Sequence, residues 1–185
     1  MMRIIAGEAR GSTIEAPSGR NTRPTLDRVR ENIFNMIQQY IPDSSVLDLF
    51  AGSGALGFEA LSRGASFAVL NDIDRNACAV QKKNTELLRF SEKTRVIHSD
   101  WQKTVKQLQQ EQKVFDLVFL DPPYIMTDLR NLFLALIPLI NSDTLIILEH
   151  EARKNPDVPE QFSVIKCREW GFCAVRIFRY TREGV

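Results

Sequence analysis

Leu47-Asp48-Leu49-Phe50-Ala51-Gly52-Ser53-Gly54-Ala55-Leu56-Gly57 decides how this chain folds. Its first residues form a short apolar run that reads as a buried strand, and its last residues open a helix. Gly52, Gly54 and Gly57 fit the G-x-G-x-x-G spacing in the strand–turn–helix setting that gives the spacing meaning. Glycine allows the sharp turn and lets backbone N–H groups approach a ligand with no Cβ in the way.

Outward from that turn the chain alternates. Strand 45–50 and helix 54–63 are followed by strand 66–71, helix 74–88, strand 94–98, helix 101–111, strand 114–120, helix 127–139 and strand 143–149. Alternation of this kind implies an α/β fold, a parallel sheet covered on both faces and joined by right-handed crossovers. Two later runs, 162–167 and 174–180, flank a turn at Gly171 and predict an antiparallel hairpin closing one sheet edge. Upstream, 3–5 and 12–15 predict a small β-hairpin around Gly7 and Gly11. Leu26, Val29, Ile33, Phe34, Ile37 and Ile41 give a helix from about Thr25, its cap, to Tyr40 an apolar stripe that leaves Arg28 outside.

The 185 residues suffice for one good core. One domain is expected, with 1–24 as an N-terminal extension and 25–185 as the core. A chain 44% hydrophobic and 25% charged has the balance of a soluble globular protein. Its longest apolar run, 132–140, holds Pro138 and is far shorter than a membrane span. The start carries no secretory apolar core. Cys78, Cys167 and Cys173 show no Cys-x-x-Cys spacing, so with only His98 and His150 besides, no metal site is expected. Reduced cytoplasmic thiols are the better reading. Net charge is +1, which makes the whole molecule no trap for polyanions. Yet Arg10, Arg20, Arg23, Arg28 and Arg30 crowd one segment opposed only by Glu15 and Asp27. The planar guanidinium grips phosphate bidentately and stacks on bases, so this segment is a candidate phosphate contact or else a solvated loop and helix face.

Asp72 stands twenty residues after Gly52, at the end of the next strand, where a carboxylate can take both hydroxyls of a ribose. Asp74, close behind it, suits a helix cap as well as a ligand role. A pyrophosphate would favour the helix N-terminus. Asp48, four residues before Gly52, is awkward for that anion and comfortable for an ammonium and a sulfonium. S-adenosylmethionine carries both. Asp100-Trp101 could receive an adenine amine and ring face, although Asp100 is equally suited to capping a helix. Asp121-Pro122-Pro123-Tyr124 follows the apolar run 114–120. It offers an acceptor carboxylate, carbonyls that cannot continue a ladder, and a flat ring, a set that suits a planar amine. The alternative is a Pro-Pro turn with a capping Asp and a packed Tyr.

Asp48-Leu49-Phe50-Ala51-Gly52-Ser53-Gly54 together with Asp121-Pro122-Pro123-Tyr124 resembles the class I, S-adenosylmethionine-dependent amino-methyltransferases. Arg3-Ile4-Ile5-Ala6-Gly7, Arg10-Gly11, Thr22-Arg23-Pro24-Thr25 and Arg28-Val29-Arg30-Glu31-Asn32-Ile33-Phe34 narrow the resemblance to the RsmD group, bacterial methyltransferases for guanine N2 of small-subunit ribosomal RNA. The resemblance spans nearly the whole chain. It implies a Rossmann-like, seven-stranded, mostly parallel sheet with one antiparallel strand near its end. It implies that Asp48, Phe50, Ala51, Gly52, Gly54, Asp72, Asp100 and Trp101 line the pocket of S-adenosylmethionine, and that Asp121, Pro122, Pro123 and Tyr124 hold the target base. Arg10, Arg23 and Arg28 would hold RNA. The implied substrate is 16S ribosomal RNA within a partly or fully assembled 30S subunit, with guanine 966 as the nucleotide. A cytoplasmic monomer using no metal is expected. The family often has Glu where Asp72 stands, and the shorter side chain makes a bidentate ribose contact less secure. Other conjugated amines remain open as targets: DNA adenine or cytosine, or a protein glutamine. A nicotinamide-dependent oxidoreductase and a non-catalytic RNA-binding protein are more distant alternatives.

Overall fold

The computed structural model describes residues 2–17, 24–123 and 125–181, and of 24–27 the backbone alone. Strands β1 (Met2–Arg3) and β2 (Thr13–Ile14) pair antiparallel as the small N-terminal hairpin. Helix α1 (Pro24–Ile37) leads through a short 3-10 turn to the main body. There β3 (Ser45–Asp48), α2 (Ala55–Ser62), β4 (Phe67–Asp72), α3 (Arg75–Leu87), β5 (Thr94–His98), α4 (Trp101–Gln110), β6 (Leu117–Leu120), α5 (Leu129–Leu136) and β7 (Leu145–Glu151) alternate as expected. The chain then adds β8 (Phe162–Trp170) and β9 (Cys173–Tyr180).

In space the seven main strands run β5-β4-β3-β6-β7-β9-β8. Strands β3 to β7 are mutually parallel where they pair, whereas β9 runs antiparallel to both β7 and β8. Strand order reverses between β3 and β6, and open parallel sheets bind ligands at such a switch point, beyond the carboxyl ends of the strands.

Side chains alternate faces along each strand. Val46, Leu70, Leu117, Phe119, Leu145 and Ile147 pack toward the N-terminal hairpin, α1 and α2. Leu47, Val69, Val118, Leu120, Ile146 and Leu148 pack toward α4 and α5. The same two-residue period carries Asp48, Asp72, Asp121 and Glu149 onto the first of these faces, just where the apolar strands end.

The N-terminal hairpin is tied down by polar side chains. Glu59 of α2 is fully buried, accepts from the Ile5 and Ala6 N–H groups at 2.7 and 3.0 Å, and is paired with Arg63 Nε at 2.7 Å. Asn84 of α3 accepts from the Glu15 N–H at 2.8 Å and donates to the carbonyls of Glu15 and Ser53. The hairpin is thereby joined to the glycine turn.

Several boundaries differ from expectation. The first helix begins at Pro24, leaving Thr25 inside its first turn rather than at its cap. Proline fits that position because the first helical N–H needs no partner and its φ is already helical. The strand expected over 114–120 is confined to Leu117–Leu120, since Phe115 N–H donates to the Leu139 carbonyl and Asp116 binds Ser45. The helix expected over 127–139 is α only to Leu136. Pro138 lies in the 3-10 turn that follows. Among the described residues no helix is long and apolar enough to cross a membrane.

Candidate active site

A cavity of about 720 Å³ opens at the carboxyl edge of the sheet. Asp48, Asp72, Asp100, Asp121 and Glu149 line it, together with Phe50, Ala51, Gly52, Trp101, Pro122, Pro123 and Met126. Met2, Arg30 and Ile33 form the wall contributed by the N-terminal hairpin and α1.

The glycine turn has an internal hydrogen-bond plan. Gly52 and Gly54 have φ of 56° and 82°, in the left-handed region that favours glycine. The Gly52 N–H donates to Asp72 Oδ2 at 2.8 Å, the Gly54 N–H to the Ala51 carbonyl at 2.7 Å, and the Gly57 N–H to Asp48 Oδ2 at 3.2 Å. These N–H groups are the ones a pyrophosphate would need. They are committed inside the protein, two of them to carboxylates, so these three are not open to an anion. Gly57 serves packing as well: a Cβ there would stand 2.2 Å from Leu70 Cδ2.

Asp48 is 1% exposed and lies against the cavity. Burial pushes its carboxyl up to about 7; the Gly57 N–H draws it down and the charge of Asp72 pushes it up again. A carboxylate so desolvated gains most from a cation. Asp72 accepts from both Gly52 N–H and, through Oδ1, Asp74 N–H at 2.9 Å. It shapes the turn while still facing the cavity. Asp74 and Asp100 cap α3 and α4, accepting from Asn76 N–H and Gln102 N–H at 2.8 Å each. Both also line the cavity, so capping and lining coincide. The donor set therefore fits S-adenosylmethionine, with carboxylates for its cationic groups and Trp101 as an aromatic wall.

Asp121 follows the last residue of β6, exposed at the cavity, and Pro122 behind it is buried. The Pro123 carbonyl accepts from Met126 N–H at 2.8 Å, so part of the Pro-Pro element is indeed a turn. Tyr124 and Arg23 lie outside the described residues. Arg10 and Arg28 are exposed. Arg30 is not part of a solvated face: it is 5% exposed and donates to the Arg3 carbonyl at 2.5 Å, joining α1 to β1 at the cavity wall.

Sequence reasoning passed over Glu149. It ends the predicted strand 143–149, and the rule that singled out Asp48, Asp72 and Asp121, an acid at the carboxyl end of a parallel strand, applies to it equally. Its Oε1 accepts from the Cys173 thiol at 3.2 Å. Burial raises the Glu149 carboxyl above its ordinary range, and the thiol bond acts the other way.

The family model described as Conserved hypothetical protein 95 matches residues 2–179. The Ribosomal RNA small subunit methyltransferase D of Haemophilus influenzae is 37% identical over 182 residues, 96% of this chain and 93% of that protein. The protein of the same name from Escherichia coli strain K12 is 36% identical over 190 residues, 99% of this chain and 92% of that one. A solved structure described as "Putative methyltransferase yhhF from Escherichia coli" superposes with a TM-score of 0.86 at 35% identity, covering 98% of this chain and 99% of that one.

Proposed function

The chain belongs to the Conserved hypothetical protein 95 family, the RsmD group of methyltransferases, and from that premise we propose that it methylates the exocyclic N2 amine of a guanine in small-subunit ribosomal RNA, with guanine 966 as the position. The observation that carries this reading is the row of carboxylates Asp48, Asp72, Asp121 and Glu149 on one sheet face around a single cavity. A cationic methyl donor suits the β3–β4 half and a planar amine suits the β6–β7 half.

When bound, S-adenosylmethionine supplies a methyl group made electrophilic by its sulfonium. The protein's part is positioning and hydrogen bonding. Asp48 faces the donor's positive charge, Asp72 its ribose, and Asp100 with Trp101 its adenine. The guanine amine is a weak nucleophile because its lone pair is delocalised into the ring. The Asp121 carboxylate and the Pro122 carbonyl accept its two hydrogens and favour a more tetrahedral nitrogen. Fixed acceptors of this kind need no reorganisation as charge develops. Asp121 then takes the released proton, directly or through water. Tyr124 stacks on a base flipped from a loop, where unstacking is cheapest. No residue of the chain forms a covalent intermediate.

Arg10, Arg23 and Arg28 hold the RNA, with residues 1–24 serving as the RNA-contacting extension of a single domain. The substrate is the 30S particle, partly or fully assembled, and the enzyme works as a cytoplasmic monomer. Mapping methylated nucleotides in ribosomal RNA from cells with and without this protein tests the reading. Loss of one N2-methylguanine from the small-subunit RNA is expected. An unchanged ribosomal RNA, with methyl label entering DNA or protein instead, overturns it.

A further inference from the structure

We infer that Glu149 reads the N1–H of the target guanine, making it the residue that separates guanine from other bases bearing a conjugated amine. This rests on the proposed guanine-N2 activity and names a group that sets its specificity.

Position comes first. Strands β6 and β7 pair in the register Leu117↔Leu145 through Leu120↔Leu148, and one step further sets Asp121 beside Glu149. The two-residue period puts both side chains on the sheet face that carries Phe119 and Ile147, and both line the cavity. Neighbouring strands lie about 4.8 Å apart. A planar base edge laid across them can meet both carboxyl groups at once. Proximity has a second sign: the charge of Asp121 contributes to raising the Cys173 thiol, the same thiol that donates to Glu149.

Chemistry then selects the base. Guanine presents adjacent donors, N2–H₂ and N1–H, along one edge. Adenine and cytosine set their amine next to an unprotonated ring nitrogen, which is an acceptor. Two adjacent carboxylates complement the first pattern and repel the second. A buried acceptor left facing a lone pair forfeits its bond and its solvation together. Asp121 alone takes any amine, whereas Asp121 with Glu149 takes an amine flanked by a ring N–H.

The surroundings of Glu149 suit an acceptor awaiting a donor. Burial works against its ionised form, and Cys173 supplies one hydrogen bond in compensation. Cys173 itself is held as a thiol, chiefly by burial and next by the charge of Glu149, so it stays a donor. A guanine N1–H supplies a second bond to the same carboxylate.

The test uses the full-length enzyme and small-subunit particles reconstituted on ribosomal RNA bearing guanosine, 2-aminopurine riboside or adenosine at the mapped target. 2-Aminopurine keeps the 2-amine, replaces N1–H with a bare ring nitrogen and lacks the 6-oxygen, so the change of ratio in the Glu149 variants, which leaves the 6-oxygen constant, assigns the N1 contact. The parent enzyme is expected to favour guanosine over 2-aminopurine in kcat/KM by about 100-fold. Glu149→Gln, whose amide can donate to that nitrogen, should cut the ratio at least roughly tenfold. Glu149→Leu should lower the guanosine rate and leave the 2-aminopurine rate at or above the parent's. Circular dichroism and cofactor titration report whether each variant is folded. A parent that uses both bases equally overturns the inference without any variant. So does a folded Glu149→Gln that keeps the parent's ratio, while guanine methylation itself stands. A parent that leaves guanosine unmodified and methylates adenosine overturns this inference and the proposed function together.

Discussion

The Gly52 N–H donates to Asp72 Oδ2 across 2.8 Å, so the carboxylate expected to hold a ribose also closes the glycine turn. With Asp74 N–H on its other oxygen, Asp72 sets the turn before any ligand arrives. Asp72→Asn must turn an amide NH₂ toward one of those two N–H donors. It should weaken S-adenosylmethionine binding by about tenfold or more and lower stability by about 1–2 kcal/mol. Calorimetric titration and urea unfolding measure the two effects. Full parent affinity in the variant would remove Asp72 from the cofactor site.

Asp48 predicts a pH dependence. Its carboxyl has an ordinary value of 3.8 and is raised to about 7 in the fold, first by burial. Between these values the folded protein keeps a proton that the unfolded chain has released. The group's contribution to stability is therefore full below about pH 4 and lost as pH rises through about 7. Cofactor binding runs the other way, because a cation needs the ionised form. Affinity should climb as pH passes about 7, and Asp48→Asn should bind weakly without that climb. Titrations from about pH 5.5 to 8.5 on parent and variant check it.

The N-terminal hairpin should be separable from the sheet by single changes. Gly7 has φ of 85°, and a Cβ on it would stand 1.7 Å from the Ser62 carbonyl oxygen. Gly7→Ala should cost at least about 2 kcal/mol. Glu59→Ala strands two backbone N–H groups and the Arg63 charge, at about 3 kcal/mol. In both variants limited proteolysis should first cut within the N-terminal segment. Cutting elsewhere first would mean that these contacts do not hold the hairpin.

Much of this was legible because it is local. The alternation of apolar strand runs with helices from 45 to 149 gives the parallel sheet, and the spacing from Gly52 to Asp72 ends in a hydrogen bond between them. What escaped reading depends on long-range contact. Arg30 looks like one more solvated arginine until its helix packs against the Arg3 carbonyl, 27 residues away. Glu149 was legible as one more acid at a strand's carboxyl end, but its place beside Asp121 comes from β7 lying next to β6, which is not written in the strand's own residues. Val114 looks like strand because it is apolar, yet it stands 49% exposed before the sheet begins.

Asp121→Ala should reduce methyl transfer by orders of magnitude and leave cofactor affinity nearly unchanged. The residue follows β6, whereas the turn proposed to hold the donor follows β3. Single-turnover rates and calorimetry together test the division. Equal loss of both would place Asp121 with the cofactor instead of the amine.

Arg10 and Arg28 are exposed, and the sequence groups Arg23 with them. If these arginines meet phosphates, each lost contact releases about one counterion fewer on binding. The Arg10→Ala, Arg23→Ala, Arg28→Ala triple variant should therefore bind small-subunit RNA more weakly and with a slope of log affinity against log salt shallower by about 2–3. Its cofactor affinity should match the parent's, since neither Arg10 nor Arg28 lines the cavity. Arg30 belongs outside this set: its guanidinium joins α1 to β1, so replacing it should disturb the cavity wall and lower stability as well as RNA affinity. A triple variant with the parent's salt slope would leave the N-terminal arginines as a solvated surface and move the RNA contact elsewhere on the cavity rim.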